Sequence, residues 1–358
     1  MNTTPLSAIE FSLPPELEAS APPEARGLRR DQVRLMVSNY STDQVKHARF
    51  YNLDKYLNEG DVLVINTSRT RNSALMASRV DGTAVELHLS THFDEDLWTV
   101  EVRALDEIGK TKHLEDAHEG EILSLPGAAT AILQEPYKSD CIDNSTPSET
   151  LWLAKLSFPY PVDDYLERYG FPIRYNYIKE KWPLSYYQTI YATETGSAEM
   201  PSAGRPFTPR VLKRLASKGI QIAPLILHTG VSNLETHEPP YKEFYRVHPE
   251  TARMVNEARS SGHRIIAVGT TAIRALETVT NADGKTHAGE GWTCLVIAPS
   301  RGLRAVNALL TGMHEPEASH LAILEALAGR SHIKIAYEQA ISKGYLWHEF
   351  GDLHLIMQ

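Results

Sequence analysis

Cysteine is scarce in this chain: Cys141 and Cys294 are the only two among 358 residues. They are far apart and neither sits in a metal-ligand spacing, so a reduced, cytoplasmic setting fits better than a secreted disulfide scaffold. The chain also lacks any run of eighteen apolar residues, and its N-terminus has no basic stretch leading into an apolar one. Neither a membrane span nor a signal peptide is therefore expected. A surplus of positive charge is missing too. With 36 Lys+Arg against 45 Asp+Glu the net charge is −9, which excludes a general electrostatic grip on nucleic acid, because such binding comes from neutralising phosphates. Any RNA contact must be local. Two basic clusters could supply one: Arg26, Arg29, Arg30 and Arg34, and Arg210, Lys213, Arg214 and Lys218. Solvated helix faces are the plainer reading of both. Internal repeats and low-complexity tracts are absent, which argues against repeat architectures and disordered tails.

What is there suits a large core. At 42% hydrophobic and this length, two domains are more natural than one. V-L-V-I-N (62 to 66) is a continuous apolar run of strand length that ends in polar residues. From about 73 to 150 the texture becomes short period-two segments, with Asp81-Gly82 between two of them, a strong hairpin signal. That region reads as a small antiparallel β domain, barrel-like, inserted into a larger one made of residues 1–72 and 151–358. After 155 strands and helices alternate: helices near 162–169, 209–218, 249–261, 272–278, 319–328 and 333–343, with strands at 220–227, 264–268 and 293–298. The alternation predicts βαβ-type units, and the fold class expected is α/β, mixed with the small inserted β domain.

Several segments could carry chemistry. Tyr187 to Thr208, Y-Q-T-I-Y-A-T-E-T-G-S-A-E-M-P-S-A-G-R-P-F-T, joins a polar aromatic stretch to a Gly/Pro/Ser turn just before a helix. R-I-I-A-V-G-T-T-A-I-R-A-L-E (264 to 277) reads as a buried strand, a Gly-Thr-Thr turn and a helix. Amides at a helix N-terminus favour anions, the Thr270 and Thr271 hydroxyls can bond a carboxylate or a ribose, and Gly269 permits close backbone approach. Thr and Gly serving only as turn geometry and helix cap is the plainer alternative. Arg274 and Glu277 share a helix face, which fits a site or a surface ion pair equally. His228 ends a strand, where ligands sit in alternating α/β domains. The string H-E-P-E-A-S-H (314 to 320) invites a zinc reading, but its histidines are six apart and Pro316 interrupts the helix that would align them. No metal is expected.

Together these segments resemble the S-adenosylmethionine:tRNA ribosyltransferase-isomerase family of queuosine synthesis, and the matches run along the whole chain. Pro201-Ser202-Ala203-Gly204 with Phe207-Thr208 resembles the family's Pro-Thr-Ala-Gly-Leu-His-Phe-Thr, with Pro206 in place of the histidine. His228-Thr229-Gly230 matches His-Val-Gly, and the following Gly-Thr-Phe has become Ser232-Asn233-Leu234. Asn66-Thr67-Ser68-Arg69 corresponds to Asn-Asp-Thr-Arg, and the later Pro-Ala-Arg is Asn72-Ser73-Ala74. Leu310-Thr311-Gly312-Met313-His314-Glu315-Pro316 parallels Leu-Thr-Asn-Phe-His-Leu-Pro. Phe350-Gly351-Asp352 resembles the family ending.

The resemblance implies transfer and isomerisation of the ribosyl unit of S-adenosylmethionine onto the aminomethyl group of a 7-deazaguanine in tRNA, with release of adenine and methionine. It implies no cofactor beyond that co-substrate. His228, Glu277 and His314 are the proton-transfer candidates. Arg69, Arg274, Gly269, Thr270 and Thr271 would hold the carboxylate or ribose, and Tyr187, Tyr191 and Phe207 would stack. Asn66, Gln188, Ser202, Gly204, Thr208 and Gly230 complete the expected substrate-binding set. Expected partners are S-adenosylmethionine and, through a local basic patch, tRNA, with no membrane and a monomeric state. The motif departures leave two alternatives open: a diverged paralogue with another acceptor or reaction, and a catalytically silent adenosine-ligand or RNA-binding protein.

Overall fold

The computed structural model describes residues 9–106, 109–139, 141, 147–231, 241–316 and 318–358. The motif departure at Ser232-Asn233-Leu234 lies outside the described residues, as do Glu317 of the histidine string and parts of the polar stretch 138–150.

A nine-stranded mixed sheet forms the frame. Its order is Gly289–Thr293, Glu243–Val247, Gln221–Leu227, Val62–Asn66, Ile265–Val268, Ala308–Gly312, Leu353–Met357, Arg34–Asn39 and Gln44–Arg49. The four central strands, from 221–227 to 308–312, run parallel. The flanking pairs are antiparallel except for 34–39 against 353–357. Successive side chains on a strand point to opposite faces, and both faces here are covered. Val62 and Val64 belong to one core with Leu225, Ala267 and Leu309 under the helices Pro249–Ser260, Thr270–Thr278, His320–Ala328 and Arg330–Ser342. Leu63 and Ile65 belong to the other, with Ile266, Leu310, Phe50 and Phe207 under the helix Pro209–Ser217. Burial on both faces is why V-L-V-I-N is continuous and not alternating. The chain moves from 62–66 to 221–227 on one side and returns to 265–268 on the other. That reversal opens a crevice at the carboxyl ends of the strands, where ligands bind in such sheets.

Residues Ala74 to Ser157 build the second sheet. Six strands, Ala74–Ser78, Ala84–His92, Leu97–Leu105, Ile122–Ser124, Thr130–Pro136 and Leu151–Ser157, close into an antiparallel ring, because 151–157 pairs with both 130–136 and 97–105. The expected Asp81-Gly82 hairpin joins the first two: Gly82 has φ +87°, and the Asp81 carboxylate accepts from Thr83 N at 2.8 Å. Leu75, Leu87, Trp98, Val100 and Leu123 fill the ring. The architecture is the mixed α/β one with an antiparallel barrel expected from the sequence.

Two local expectations are corrected. The strand expected at 293–298 is instead Gly289–Thr293, paired with 243–247. Beyond it Ile297 and Leu295 pack into the core without a ladder, so their apolar character reflects burial under helices. The two cysteines, expected as separate reduced thiols, are bonded to each other across 153 residues of sequence. Folding brings their Cα atoms to 5.2 Å, within disulfide reach, and linear spacing carries no trace of that.

Candidate active site at the strand ends

One polar strap, residues 194–204, crosses the carboxyl ends of the parallel strands. Glu194–Ser197 pairs in parallel with Ser68–Thr70, just beyond the 62–66 strand. Ala198 N then donates to Thr229 O at 2.8 Å, beyond the 221–227 strand. The Ser202–Gly204 turn finally reaches the ends of the other two strands. A methyl group on Gly269 would stand 3.5 Å from Ala203 Cβ, and one on Gly312 would stand 3.9 Å from Ser202 Oγ. The two Gly-bearing turns singled out in the sequence are therefore neighbours. Gly269 has φ +89°, a conformation open to glycine and strained for other residues.

His228 sits under the strap. Its Nδ1 is 2.8 Å from Ser68 Oγ, which is 2.6 Å from Ser197 Oγ, and its ring stacks on Phe244 at 5.5 Å. Its Nε2 faces Glu194 Oε1 at 3.7 Å, and Glu194 is held by Arg246 at 2.7 Å. Gly196 makes this arrangement possible, since any Cβ there would fall on the imidazole. Burial holds the His228 pKa down to about 4, against the opposing pull of Glu194, so the ring is neutral at physiological pH. Half-buried Arg71 adds to that depression from across the crevice; its Nε has no partner, while its guanidinium stands 5.5 Å from the Trp98 ring and 3.8 Å from Asp163. The barrel closes this end: Ser90 Oγ accepts from Val231 N at 2.9 Å. Gly230 N donates to Glu243 at 3.0 Å.

The other end is a nest of rings and carboxyls. His348 bonds Glu315 through Nδ1 and stacks on Tyr177 at 4.1 Å, and Tyr177 stacks on Tyr175 at 5.7 Å. The Tyr175 hydroxyl donates to Glu199 of the strap. Glu349 lies among them, its carboxyl pushed up to about 8 by burial and then by Glu199. A cavity of about 10 Å³, room for a single water-sized sphere, is lined by Ser202, Arg205, Pro206, Gly312, His348 and Glu349.

The remaining sequence candidates divide. His314 belongs here: its Nε2 is 2.8 Å from Thr311 Oγ1, its ring stacks on His320 at 4.8 Å, and burial followed by His320 holds its pKa down to about 3. Tyr187 is buried against Phe350 with its hydroxyl unpartnered, and Thr271 Oγ1 is likewise buried and unpartnered. Thr270 is buried at the same turn. Tyr191 lies over Gly204, where a Cβ would meet its hydroxyl, and packs edge-on against Phe207, itself in the core. Arg69 is exposed beside the strap.

Others hold the frame. Asn66 is a buried brace, donating to Leu227 O at 2.8 Å and accepting from Leu227 N and Ser68 N. Gln188 does the same for Thr70, donating to its carbonyl at 2.6 Å and accepting from its amide at 3.1 Å. Thr208 caps the 209–217 helix, accepting from Val211 N at 3.3 Å. Arg274 pairs with Glu243 and donates to Leu295 O and Tyr241 O, both at 3.1 Å. Glu277, with a side chain 0% exposed, accepts from Arg304 N and Ala305 N at 2.8 Å and from Arg301 at 2.9 Å. Arg71, Glu194, Glu199, His348 and Glu349 were missed, since they carry no motif of their own. Only strand-end topology gathers them.

A strand-end crevice crossed by a polar strap, with a neutral histidine and unpaired buried polar atoms, defines a ligand-binding α/β protein with an inserted barrel. The family described as "Queuosine biosynthesis protein" matches residues 6–356, and the chain belongs to it. Among its relatives, the S-adenosylmethionine:tRNA ribosyltransferase-isomerase of Moorella thermoacetica is 36% identical over 98% of this chain and 99% of its own length. Those of Symbiobacterium thermophilum and Thermotoga maritima are 36% and 34% identical, with the same coverage. A crystal structure of the S-adenosylmethionine tRNA ribosyltransferase of Thermotoga maritima superposes with a TM-score of 0.52 at 29% identity, covering 97% of this chain and 99% of that one. Among the described residues no helix is long and apolar enough to cross a membrane.

Proposed function

We propose that this chain transfers and isomerises the ribosyl moiety of S-adenosylmethionine onto 7-aminomethyl-7-deazaguanine in tRNA, giving epoxyqueuosine-tRNA, adenine and methionine. The observation that carries the reading is the meeting of the Ser202–Gly204 and Gly269–Thr271 turns at the strand ends, under the same strap whose Gly196 and Ser197 cover His228 and Thr229.

The donor's sulfonium acidifies the adjacent 5′ methylene. A base removes that proton, adenine leaves as the ribose rearranges, and the acceptor amine displaces methionine. His228 is our choice of base. It is neutral, and when Nδ1–H donates to Ser68 the nitrogen left to take a proton is Nε2, where the facing Glu194 carboxylate would stabilise the imidazolium formed. Thr271 and the amides of the Gly269 turn suit a carboxylate or ribose, and exclusion of water under the strap protects reactive intermediates. The domain boundary expected at 150 moves past the ring-closing strand, so that residues 1–72 and 158–358 form the catalytic unit and 73–157 an insertion that walls the crevice. tRNA approaches through a local patch on the 209–217 helix, where Arg210 and Lys213 are exposed. Its neighbours are already engaged, Arg214 with Asp54 and Lys218 with the carbonyls of Asp54 and Leu57.

The test is incubation of the protein with S-adenosylmethionine, with and without tRNA carrying the deazaguanine, followed by chromatography for adenine and methionine. Release of both only with that tRNA is the expected result. Release with a different acceptor, or binding without turnover, overturns the reading.

A further inference from the structure

The nest at the end of the 308–312 strand gathers three carboxyls around a pile of rings. Glu199, Glu315 and Glu349 surround the Tyr175–Tyr177–His348 pile, contributed by the strap, the loop after 308–312 and the segment before the last strand. Two of the cations nearby are occupied, while Arg174 keeps an unpartnered Nε. Arg205, 2% exposed, is tied to Glu24 at 2.8 Å and to Tyr186 O at 2.8 Å. His348 is engaged by Glu315. Burial, and after it the nearby Glu199, raises the Glu349 carboxyl to about 8, so it holds a proton at neutral pH.

Independent of the carboxyls, several buried polar atoms at this place have no partner. They include the Tyr187 hydroxyl, on a residue 1% exposed, and His348 Nε2, which makes no hydrogen bond and faces Glu18 at 3.6 Å. Glu349 Oε2, Arg174 Nε and Trp182 Nε1 are unpartnered as well. Buried polar groups in native proteins are nearly always bonded, so such a concentration marks a place completed by something else. The cavity beside it is lined by Pro206 and Gly312, two positions where the chain departs from the family motifs, and Glu315 stands where the motif has leucine. Stacked phenols and carboxyls at partial burial suit a cation whose charge is poorly hydrated.

We propose that Glu349, Glu315 and Glu199, with the Tyr175 and Tyr177 rings, form the subsite that recognises the donor's positive sulfur. The subsite rests on the function proposed above, and it places the methionine half of the donor beside Gly312 and Ser202.

The experiment is calorimetric titration of the full chain with S-adenosylmethionine and with S-adenosylhomocysteine, which differs by one methyl group and by the absence of charge on sulfur. The wild type should bind the sulfonium at least about tenfold more tightly. Above about pH 8, where the Glu349 carboxyl is ionised, Glu349→Gln and Glu315→Gln should each lower affinity for the sulfonium about three- to tenfold and leave the thioether unchanged; retained thioether binding reports that the variants are folded. Equal losses for both ligands, or unchanged preference for the sulfonium, would overturn the subsite while leaving the proposed function standing. Failure of the wild type to bind either nucleoside would overturn both.

Discussion

The helix 270–278 and the strap 194–204 lie side by side at the strand ends, yet they treat polar groups in opposite ways. On the helix, Arg274 and Glu277 spend their bonds on Glu243, Arg301 and backbone groups. Around the strap, Tyr187, His348, Glu349 and Arg174 keep buried polar atoms with no partner. A buried charge whose bonds all close within the chain has its desolvation cost offset there, and removing one partner is costly; a buried polar atom without a bond is the kind of group a ligand can complete. The buried bond chain Asp43–His332–Ser38–His354 is closed except at His354 Nδ1, which has no partner. Its contacts of 2.7 to 2.9 Å have the pattern of a serine triad, but Ser38 is 0% exposed and no substrate reaches it.

The contrast can be broken first at Glu277. Glu277→Ala strands Arg301 and two backbone amides in the interior, and a loss of about 3–5 kcal/mol in denaturant unfolding is expected; a loss under about 1 kcal/mol would remove its bracing role. His228→Asn should act in the reverse manner, lowering turnover by about 10²–10⁴-fold while shifting the thermal midpoint little.

Titration sharpens the difference further. The folded Glu349 carboxyl keeps its proton up to about pH 8, while its unfolded counterpart, with the ordinary glutamate value of 4.5, has already lost it. The folded state therefore binds more protons, and stability falls as pH rises across that window. Glu349→Gln escapes the loss, so its stability relative to wild type should climb between pH 4.5 and 8 and show no gain below it. His228, His314 and His354, held at about 4, 3 and 3 by burial, carry the other sign. Unfolded histidines gain protons below about pH 6.5 that these cannot, so stability should decline as pH drops from there towards 4, as measured by chemical denaturation at each pH. The smallest effect is expected at the exposed end of the 209–217 helix. Lys213→Ala should weaken tRNA binding a few-fold, flatten its salt dependence by about one unit of slope, and leave S-adenosylmethionine binding unchanged.

Much of the frame was legible because it is local. Apolar continuity at 62–66, the Asp81-Gly82 turn and the alternation after 155 each reflect a periodicity or turn preference acting over a few residues. The four strands 44–49, 243–247, 308–312 and 353–357 went unread, since their pairing is decided by segments up to hundreds of residues away. The site followed the same division. Motif strings pointed to His228, His314 and the turns at Ser202–Gly204 and Gly269–Thr271, whereas Arg71 went unnoticed although Arg69, two residues earlier, was chosen. Arg69 lies within the 68–70 strand and is exposed, whereas Arg71 follows that strand and is half-buried beside Trp98 and Asp163, a difference set by distant segments and not by the spacing of the two residues.

By itself the sequence determined the class of fold, the family and the turns that meet at the strand ends, because hydrophobic period and turn chemistry are properties of neighbouring residues. Tertiary structure alone decided that Cys141 meets Cys294, that Arg274 and Glu277 close their bonds internally, and that three glutamates converge on one pile of rings. Those outcomes depend on which distant groups folding brings within bonding distance and on how much water it removes from them, and neither quantity is written in any single stretch of chain.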